Sequence, residues 1–144
     1  MQTVRQLLEV KGSSVHVISP EASVYDALRL MAEKNVGALV ATEAGQPVGL
    51  ISERDYARKV VLLGRHSKDT LVRDIMTREL VCVDPSQGVD QCMALMTGKH
   101  FRHLPVIHEG RLAGIISIGD VVKSLLDHQQ FTIQQLEHYI VNSQ

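Results

Sequence analysis

The sequence predicts a mixed fold of the α/β (α+β) class, built from one β-α-β-β-α unit used twice. Three observations predict it. The chain repeats itself at a spacing of 65 residues, each copy sets apolar residues at helical spacing ahead of two short β-rich segments, and each copy closes on a glycine-x-x-serine-x-x-aspartate pattern. Such self-similarity indicates one supersecondary unit used twice. Because one unit is too small to cover both faces of its sheet, we expect the copies to pack sheet to sheet about a pseudo-twofold axis.

The two copies align without a gap over two long stretches. VISPEASVYDALRLMAEK matches CVDPSQGVDQCMALMTGK, and ALVATEAGQPVGLISERD matches HLPVIHEGRLAGIISIGD. We therefore divide the chain into five parts: a lead-in helix at 1–14, a first repeat at 15–63, a linker with a short helix at 64–79, a second repeat at 80–127 and a C-terminal helix at 128–144.

The elements follow in the same order in both copies. A matching lead-in segment, TVRQLL or LVRDIM, precedes each, and its apolar residues fall on one helical face. Each repeat begins with a short strand and an amphipathic helix, whose apolar residues are Val24, Ala27, Leu28 and Met31 in the first copy and Val89, Cys92, Met93 and Met96 in the second. Two short apolar segments joined by a glycine-containing connector predict a β-hairpin. A second helix follows each serine, and in the first copy we expect it to end near Gly64.

Composition excludes several classes of protein. The net charge is −1, so no basic field favours nucleic acid. No apolar segment approaches the roughly 20 residues of a membrane helix, and MQTVRQLLEV differs from a secretory signal. Nothing in the sequence resembles an activated nucleophile or a Walker loop, so we do not expect an enzyme with a catalytic cofactor. We expect a soluble, cytoplasmic protein.

The motifs together resemble a known family. The ordered set SPEASVYDAL, VGLISERD, VRDIMT, FRHLPV and AGIISIGDVV, duplicated in frame between about Val15 and Leu126, is similar to a tandem pair of cystathionine-β-synthase (CBS) domains. This is the Bateman module, as found in stand-alone signal-transduction proteins of bacterial type. The resemblance implies a regulatory module that binds AMP, ATP or an adenosyl dinucleotide such as NAD(H) between its repeats. It also implies frequent homodimers and no chemistry of its own, so we expect the signal to leave through another protein.

The repeated turn suits a nucleotide on physical grounds. Ser52 and Ser117 end strands, and Asp55 and Asp120 fall in the first turn of the helices that follow. Backbone N–H groups at a helix start attract phosphate, and an ionised carboxylate, which only accepts hydrogen bonds, suits the two neighbouring hydroxyls of ribose. Gly49 and Gly114 would let a ligand approach the strand. The alternative is that Ser-x-x-Asp is simply a capping box, and the two roles are compatible.

The resemblance adds further site residues. Adenine would lie against the edge of the second strand of each repeat, at Leu39, Val40 and Ala41 and at His103, Leu104 and Pro105, while Ser19 and Asp84 would line the same pockets. The first copy has Val40 where the family's usual proline is present in the second as Pro105.

The copies differ where phosphates would bind. Arg54 lies in the first turn and Arg102 precedes the second copy's strand, where their counterparts are Gly119 and Gly37. Arginine binds phosphate bidentately, so Arg54 and Arg102 are the leading phosphate ligands, and the first copy also offers Arg58 and Lys59. A solvated helix face is the alternative for Arg54, Arg58 and Lys59. We therefore expect two unequal pockets that differ in affinity or in ligand.

Other interpretations concern histidine, cysteine and the tail. His100, His103 and His108 lack a fixed spacing for a metal, and Cys82 and Cys92 fit small core residues. The last segment places Ile133, Leu136, Tyr139 and Ile140 on one helical stripe, which predicts packing within the module or its dimer. A ligand-free interaction scaffold, whose turns are only caps, remains the alternative function.

Overall fold

The computed structural model describes the backbone of residues 2–142 and the side chains up to His138. The first half contains α1 (Val4–Lys11), β1 (Val17–Ile18), α2 (Val24–Lys34), β2 (Ala38–Glu43), β3 (Gln46–Ser52) and α3 (Glu53–Tyr56), which continues as a π-helical segment (Ala57–Val61). The second half contains α4 (Val72–Ile75), α5 (Val89–Lys99), β4 (His103–His108), β5 (Arg111–Ser117) and α6 (Ile118–Asn142).

The two repeats have the same sheet topology. β1 runs parallel to β2, which pairs antiparallel with β3, and β4 pairs antiparallel with β5. In the second repeat the first strand is reduced to one parallel bridge, Val83 to Val106, at the positions equivalent to Ile18 and Ala41. The hairpin registers shift at equivalent places, after Ala41 and after Val106. The predicted β-α-β-β-α repeat is confirmed, with a shortened first strand in its second copy.

The backbone conformation of the two hairpin turns explains why each contains a glycine. Ala44 and Gly45 in the first copy, and Glu109 and Gly110 in the second, have φ of 52° and 78° in each pair. A two-residue loop with both φ values positive matches the right-handed twist of the flanking strands, and glycine enters this region without steric cost.

Each lead-in helix packs on the other repeat. Val4, Leu7 and Leu8 of α1 belong to the core of the second repeat, and Val72, Ile75 and Met76 at α4 belong to the core of the first. Backbone bonds fix the exchange, because the Val4 N–H donates to the Gln87 carbonyl and the Val72 N–H donates to the Ala22 carbonyl. The two halves are therefore connected through both lead-in helices.

The sheet faces turned away from these two cores are also buried. Val40 and Pro105 alternate with core residues along β2 and β4, and both are buried outside the two core clusters. β3 and β5 contact each other between the repeats. The predicted sheet-to-sheet packing accounts for this burial.

Helix α6 is longer than the sequence indicates. The second helix of repeat two and the C-terminal helix, which the sequence predicts as separate segments, form one helix without a break. On it Phe131, Ile133 and Leu136 are exposed, so this stretch does not pack back on its own module. The predicted stripe also includes Tyr139 and Ile140, whose side chains lie outside the described residues. Among the helices that the structure describes, none is long and apolar enough to cross a membrane.

Candidate functional site

Both Ser-x-x-Asp turns form capping boxes. The Ser52 hydroxyl accepts the Asp55 N–H at 3.2 Å, and Asp55 Oδ2 accepts the Ser52 N–H at 3.0 Å. The second copy repeats this geometry, with Ser117 Oγ to the Asp120 N–H at 3.1 Å and Asp120 Oδ2 to the Ser117 N–H at 2.8 Å. The capping alternative is therefore confirmed, and any ligand contact by these aspartates comes in addition to it.

The helix starts offer fewer donors than the sequence indicates. The Glu53 N–H donates to the Gly37 carbonyl at 3.1 Å, and the Ile118 N–H donates to the Arg102 carbonyl at 2.9 Å. With the aspartate N–H groups held by serine, two donors of each first turn are used within the protein. Phosphate binding at this place therefore depends on side chains.

A cleft of about 820 Å³ lies between the repeats at the first turn. Its polar wall includes Ser52, Arg54, Asp55, Arg58, Lys59 and Arg102, and its apolar wall includes Leu50, Leu80, Val81, Met96, Phe101 and Ile118. The sequence predicts six residues that line it: Ser52, Arg54, Asp55, Arg58, Arg102 and His103. Residues from both copies meet here, as the predicted cleft between repeats requires.

Asp55 places one carboxylate oxygen on the cleft side. While Oδ2 caps the helix, Oδ1 lies 3.2 Å from the Lys59 ammonium and accepts the Thr77 hydroxyl at 3.4 Å. The Thr77 backbone pairs with Leu50, donating to its carbonyl at 2.8 Å and accepting its N–H at 2.9 Å. Thr77 thus lines the cleft next to Asp55.

Three arginines make the cleft positive. Partial desolvation, followed by the nearby charges of Arg102 and Arg58, lowers the pKa of Arg54, and the Asp55 carboxylate opposes the shift. Cations that repel one another across a cleft favour an anionic ligand, because its charge would relieve that repulsion. The arrangement suits a phosphate group on a ligand whose sugar lies at Asp55.

At the second turn, Asp120 has a different partner. The Lys11 ammonium at the end of α1 lies 2.6 Å from Asp120 Oδ2 and 2.5 Å from the Ile115 carbonyl oxygen. Burial works to raise the pKa of the Asp120 carboxyl, but the hydrogen bonds from Lys11 and Ser117 and the Lys11 charge hold it below its ordinary value. Asp120 therefore remains ionised as the partner of Lys11.

His103 lies between the two turns. Burial lowers its pKa, Lys11 and Arg102 add to the effect, and Asp120 and Asp55 oppose it. His103 lines the cleft together with Asp55, and the charges of the aspartates from both turns act on its pKa.

The predicted adenine contacts along the strands do not fit the structure. Leu39, Val40 and Ala41 are fully buried, and β1 already covers the edge of β2 at Val40 and Ala41. In the second repeat Leu104 and Pro105 are buried, and the Val83 N–H donates to the Pro105 carbonyl at 2.9 Å. Backbone groups that already form hydrogen bonds within the sheet cannot also bind an adenine base. Of the six predicted strand residues, His103 lines the cleft.

Ser19 and Asp84 lie apart from the cleft. Ser19 Oγ accepts the Glu21 N–H at 3.1 Å in a local turn. Hydrogen bonds from the Ser86 N–H and hydroxyl lower the pKa of Asp84, which also lies near Arg5 and His108. Both residues therefore shape the start of the following helix, a role typical of serine and aspartate in turns.

At the two strand glycines, the group that lies against the backbone is a side chain of this protein rather than a ligand. A Cβ on Gly49 would lie 2.5 Å from Met76 Sδ, and a Cβ on Gly114 would lie 3.0 Å from Leu8 Cδ2. The lead-in helix of the opposite repeat covers each glycine, so the predicted approach of a ligand at these positions is wrong.

The sequence patterns do not predict Thr77 and Lys11 as neighbours of the aspartates, whereas Lys59 is among the basic residues that the first copy offers for phosphate. Lys59 follows Asp55 by four residues, a helical spacing that predicts contact. Thr77 ends the VRDIMT motif, whereas Lys11 carries no local signal because its partner lies 109 residues away. Among the described residues, no three His, Cys, Asp or Glu side chains gather as a metal site.

Comparison with known proteins identifies the family. The CBS domain model matches residues 7–62 and 72–127. The mitochondrial CBS domain-containing protein CBSX3 of Arabidopsis thaliana is 40% identical over 147 residues, covering 96% of this chain and 71% of that protein. The solved structure of a protein with CBS domains from Burkholderia ambifaria MC40-6 is 50% identical in sequence, with a TM-score of 0.84, and the match covers 92% of this chain and 99% of that one.

A more distant structure shares the fold. The CBS domain pair of protein MJ0100, in complex with 5′-methylthioadenosine and S-adenosyl-L-methionine, has a TM-score of 0.79 at 20% identity and covers 89% of this chain and 98% of that one. Two family matches along one chain, close relatives over nearly its whole length and a shared fold agree. The chain therefore belongs to the family of CBS-domain regulatory proteins, in which it is a tandem pair.

Proposed function

We propose that this CBS pair senses an adenine nucleotide, bound in the cleft between the repeats at Asp55, and signals through a change of conformation or assembly. The observation that carries the proposal is the combination of one cleft-facing carboxylate oxygen with three arginines in a space of about 820 Å³. Such a space is of the size that ligand sites usually have. The proposal includes binding and no reaction.

Each part of a nucleotide has a matching wall. The ribose hydroxyls would donate to Asp55 Oδ1, next to the Thr77 hydroxyl, and the phosphates would meet Arg54 and Arg102. The base would lie against apolar side chains from the second repeat, such as Val81 and Phe101. AMP, ATP and NAD(H) share the adenosine part of this arrangement and differ in the phosphate end.

The fold supports an adenosyl ligand independently of these contacts. The MJ0100 pair shares the fold and was solved with two adenosyl compounds. Because that likeness concerns the fold alone, the identity of the ligand here depends on the residues of this cleft.

The route of the signal follows from the position of the cleft. A ligand that contacts both repeats shifts their relative arrangement only by as much as it prefers one arrangement. Several exposed apolar residues lie on the helices that follow the two turns or directly after them: Val61, Leu62, Leu126, Phe131 and Ile133. We propose that these helices form a homodimer and carry the change to a partner protein.

The test combines a ligand screen with matched variants. Thermal-shift measurements with AMP, ADP, ATP, NAD⁺, NADH and S-adenosylmethionine should show stabilisation, about 2.7 kcal/mol at 100 times Kd. Calorimetry with the best ligand should then show that Asp55→Asn weakens binding by about 1.5–3 kcal/mol, the range for hydrogen bonds to a charged group. Asp26→Asn is the matched control, since Asp26 follows its N-cap serine by three residues on α2, outside the cleft.

The outcomes separate sensor from scaffold. A ligand whose affinity falls in Asp55→Asn and stays constant in Asp26→Asn supports the sensor. If all six compounds leave the melting temperature unchanged at millimolar concentration, the proposal is wrong and the ligand-free scaffold is favoured.

A further inference from the structure

The second turn already holds a cation at Asp120, the counterpart of Asp55. The Lys11 ammonium contacts two oxygens at once, Asp120 Oδ2 at 2.6 Å and the Ile115 carbonyl at 2.5 Å. At the repeat spacing of 65 residues, these two acceptors correspond to the Asp55 carboxylate and the Leu50 carbonyl, and both of those residues line the cleft. The same pair of acceptors is therefore used differently in the two copies.

In the first copy Thr77 satisfies both acceptors. Its backbone N–H donates to the Leu50 carbonyl at 2.8 Å, and its hydroxyl donates to Asp55 Oδ1 at 3.4 Å. In the second copy the Lys11 ammonium alone makes both contacts, and at shorter distances. A charged side chain thus bridges the aspartate and the strand carbonyl in the second copy, where the smaller Thr77 does so in the first.

A difference in chain length explains why a lysine reaches this place. Val17 lies 13 positions after Val4, whereas the equivalent Cys82 lies ten positions after Val72. The additional residues extend α1 to Lys11, whereas α4 ends at Ile75. The core side chains Leu7 and Leu8 fix the helix, so its last residue is carried to Asp120.

Lys59 does not close the first turn in the same way. It reaches Asp55 from four residues along its own helix, at 3.2 Å, and its side chain lines the cleft. It contacts Oδ1 beside the Thr77 hydroxyl and also donates to the Ile75 carbonyl at 2.9 Å, within its own half of the module. Lys11 comes instead from the opposite end of the sequence and uses the capping oxygen that already accepts the Ser117 N–H.

We propose that Lys11 is an internal occupant of the second sugar site, so that the module binds one adenine nucleotide per chain, at Asp55. This inference rests on the proposed function. The Lys11 and Asp120 side chains are 30% and 25% exposed, and a partly exposed ion pair is weak by itself. The closure therefore depends on the docking of α1, which holds the ammonium in position.

The experiment measures how many nucleotide molecules bind to each chain. AMP, and ATP in a parallel series, is titrated calorimetrically into the full chain and into Lys11→Met, a change that removes the charge and keeps an unbranched side chain. We expect one site per chain in the wild type and two in Lys11→Met. Adding Asp120→Asn to Lys11→Met should return the number to one, and Lys34→Met, which removes an exposed lysine at the end of α2, should leave it at one.

The results distinguish this inference from the function on which it rests. Two sites in the wild type, or one site in a folded Lys11→Met protein, would overturn the role of Lys11 and leave the sensor standing. Binding only in Lys11→Met would support the role of Lys11 and refute the Asp55 site. Binding in neither protein would refute both. Circular dichroism checks folding, and Lys11→Gln serves as the second variant if Lys11→Met unfolds.

Discussion

Replacing Gly49 by alanine tests how closely the crossed lead-in segments approach the sheets. A Cβ at Gly49 would lie 2.5 Å from Met76 Sδ, 2.8 Å from Met76 Cγ and 3.2 Å from the Thr77 carbonyl oxygen. At Gly114 the nearest atoms are Leu8 Cδ2 at 3.0 Å and Cδ1 at 3.2 Å. The two positions are equivalent by the repeat, so they form a matched pair.

The contacts give the size of the effect. Non-bonded carbon atoms prefer about 3.5–4.0 Å, so Met76 would have to move by roughly 1 Å, while Leu8 would move by about half as much. Met76 is buried, and the Leu50 N–H holds the Thr77 carbonyl, so neither neighbour yields easily. Overpacking of this kind costs about 1–3 kcal/mol. We expect about 2 kcal/mol for Gly49→Ala and less than about 1 kcal/mol for Gly114→Ala.

Urea unfolding followed by circular dichroism measures the difference. With a slope of about 2 kcal/mol per molar urea, Gly49→Ala should lower the midpoint by about 1 M, and Gly114→Ala by less than half of that. Adding Met76→Ala should make Gly49→Ala much less costly, because the pair shares one space. Equal losses for both glycines, or no coupling with Met76, would refute the reasoning.

Two further predictions concern the seam and the long helix. Burial holds the pKa of His103 in the folded protein below its ordinary value of 6.5. As the pH falls, His103 is therefore protonated first in the unfolded chain. The free energy of unfolding that neutral His103 contributes above pH 6.5 is lost below that pH. The melting temperature should therefore fall less between pH 7.5 and 5.5 in His103→Gln than in the wild type, and equal falls would contradict this. Leu126 is 60% exposed on α6, so Leu126→Glu should convert the proposed dimer into a monomer in light scattering, whereas a wild-type monomer would contradict the dimer.

The repeat explains why most of the fold follows from the sequence. The chain repeats at a spacing of 65 residues, so each weak local pattern occurs twice and supports the same prediction in both copies. The two hairpins, the helices before them and the facing turns follow from this, and the structure confirms them. The first strand of the second repeat is weaker, because only Val83 makes the bridge that Val17 and Ile18 make in the first.

The candidate site is only partly predictable, because local patterns do not show which backbone edges are already used. The edge of β2 looked available for adenine, yet β1 covers it, and that pairing comes from residues some 23 positions earlier. The residues that line the cleft are instead those with charged or hydroxyl side chains next to the turns, such as Arg54 and Asp55.

Lys11 is a clearer example of a site residue that local sequence patterns do not predict. Its position depends on the extra length of α1 and on the docking of that helix across the module, and neither depends on the residues around Asp120. A repeat predicts what the two copies share. It does not predict a residue from outside the repeat that makes the copies different.

The exchange of lead-in helices has a consequence for how such a protein arises and breaks. A fragment cut at 64–70 would lack the three apolar side chains, Val72, Ile75 and Met76, that complete the core of its own half. Neither fragment would be self-sufficient, but the two together would contain every contact of the intact chain. The same exchange between two identical single-repeat chains would give a symmetric pair in which each supplies a helix to the other, so joining them end to end needs no new packing, only a connecting loop.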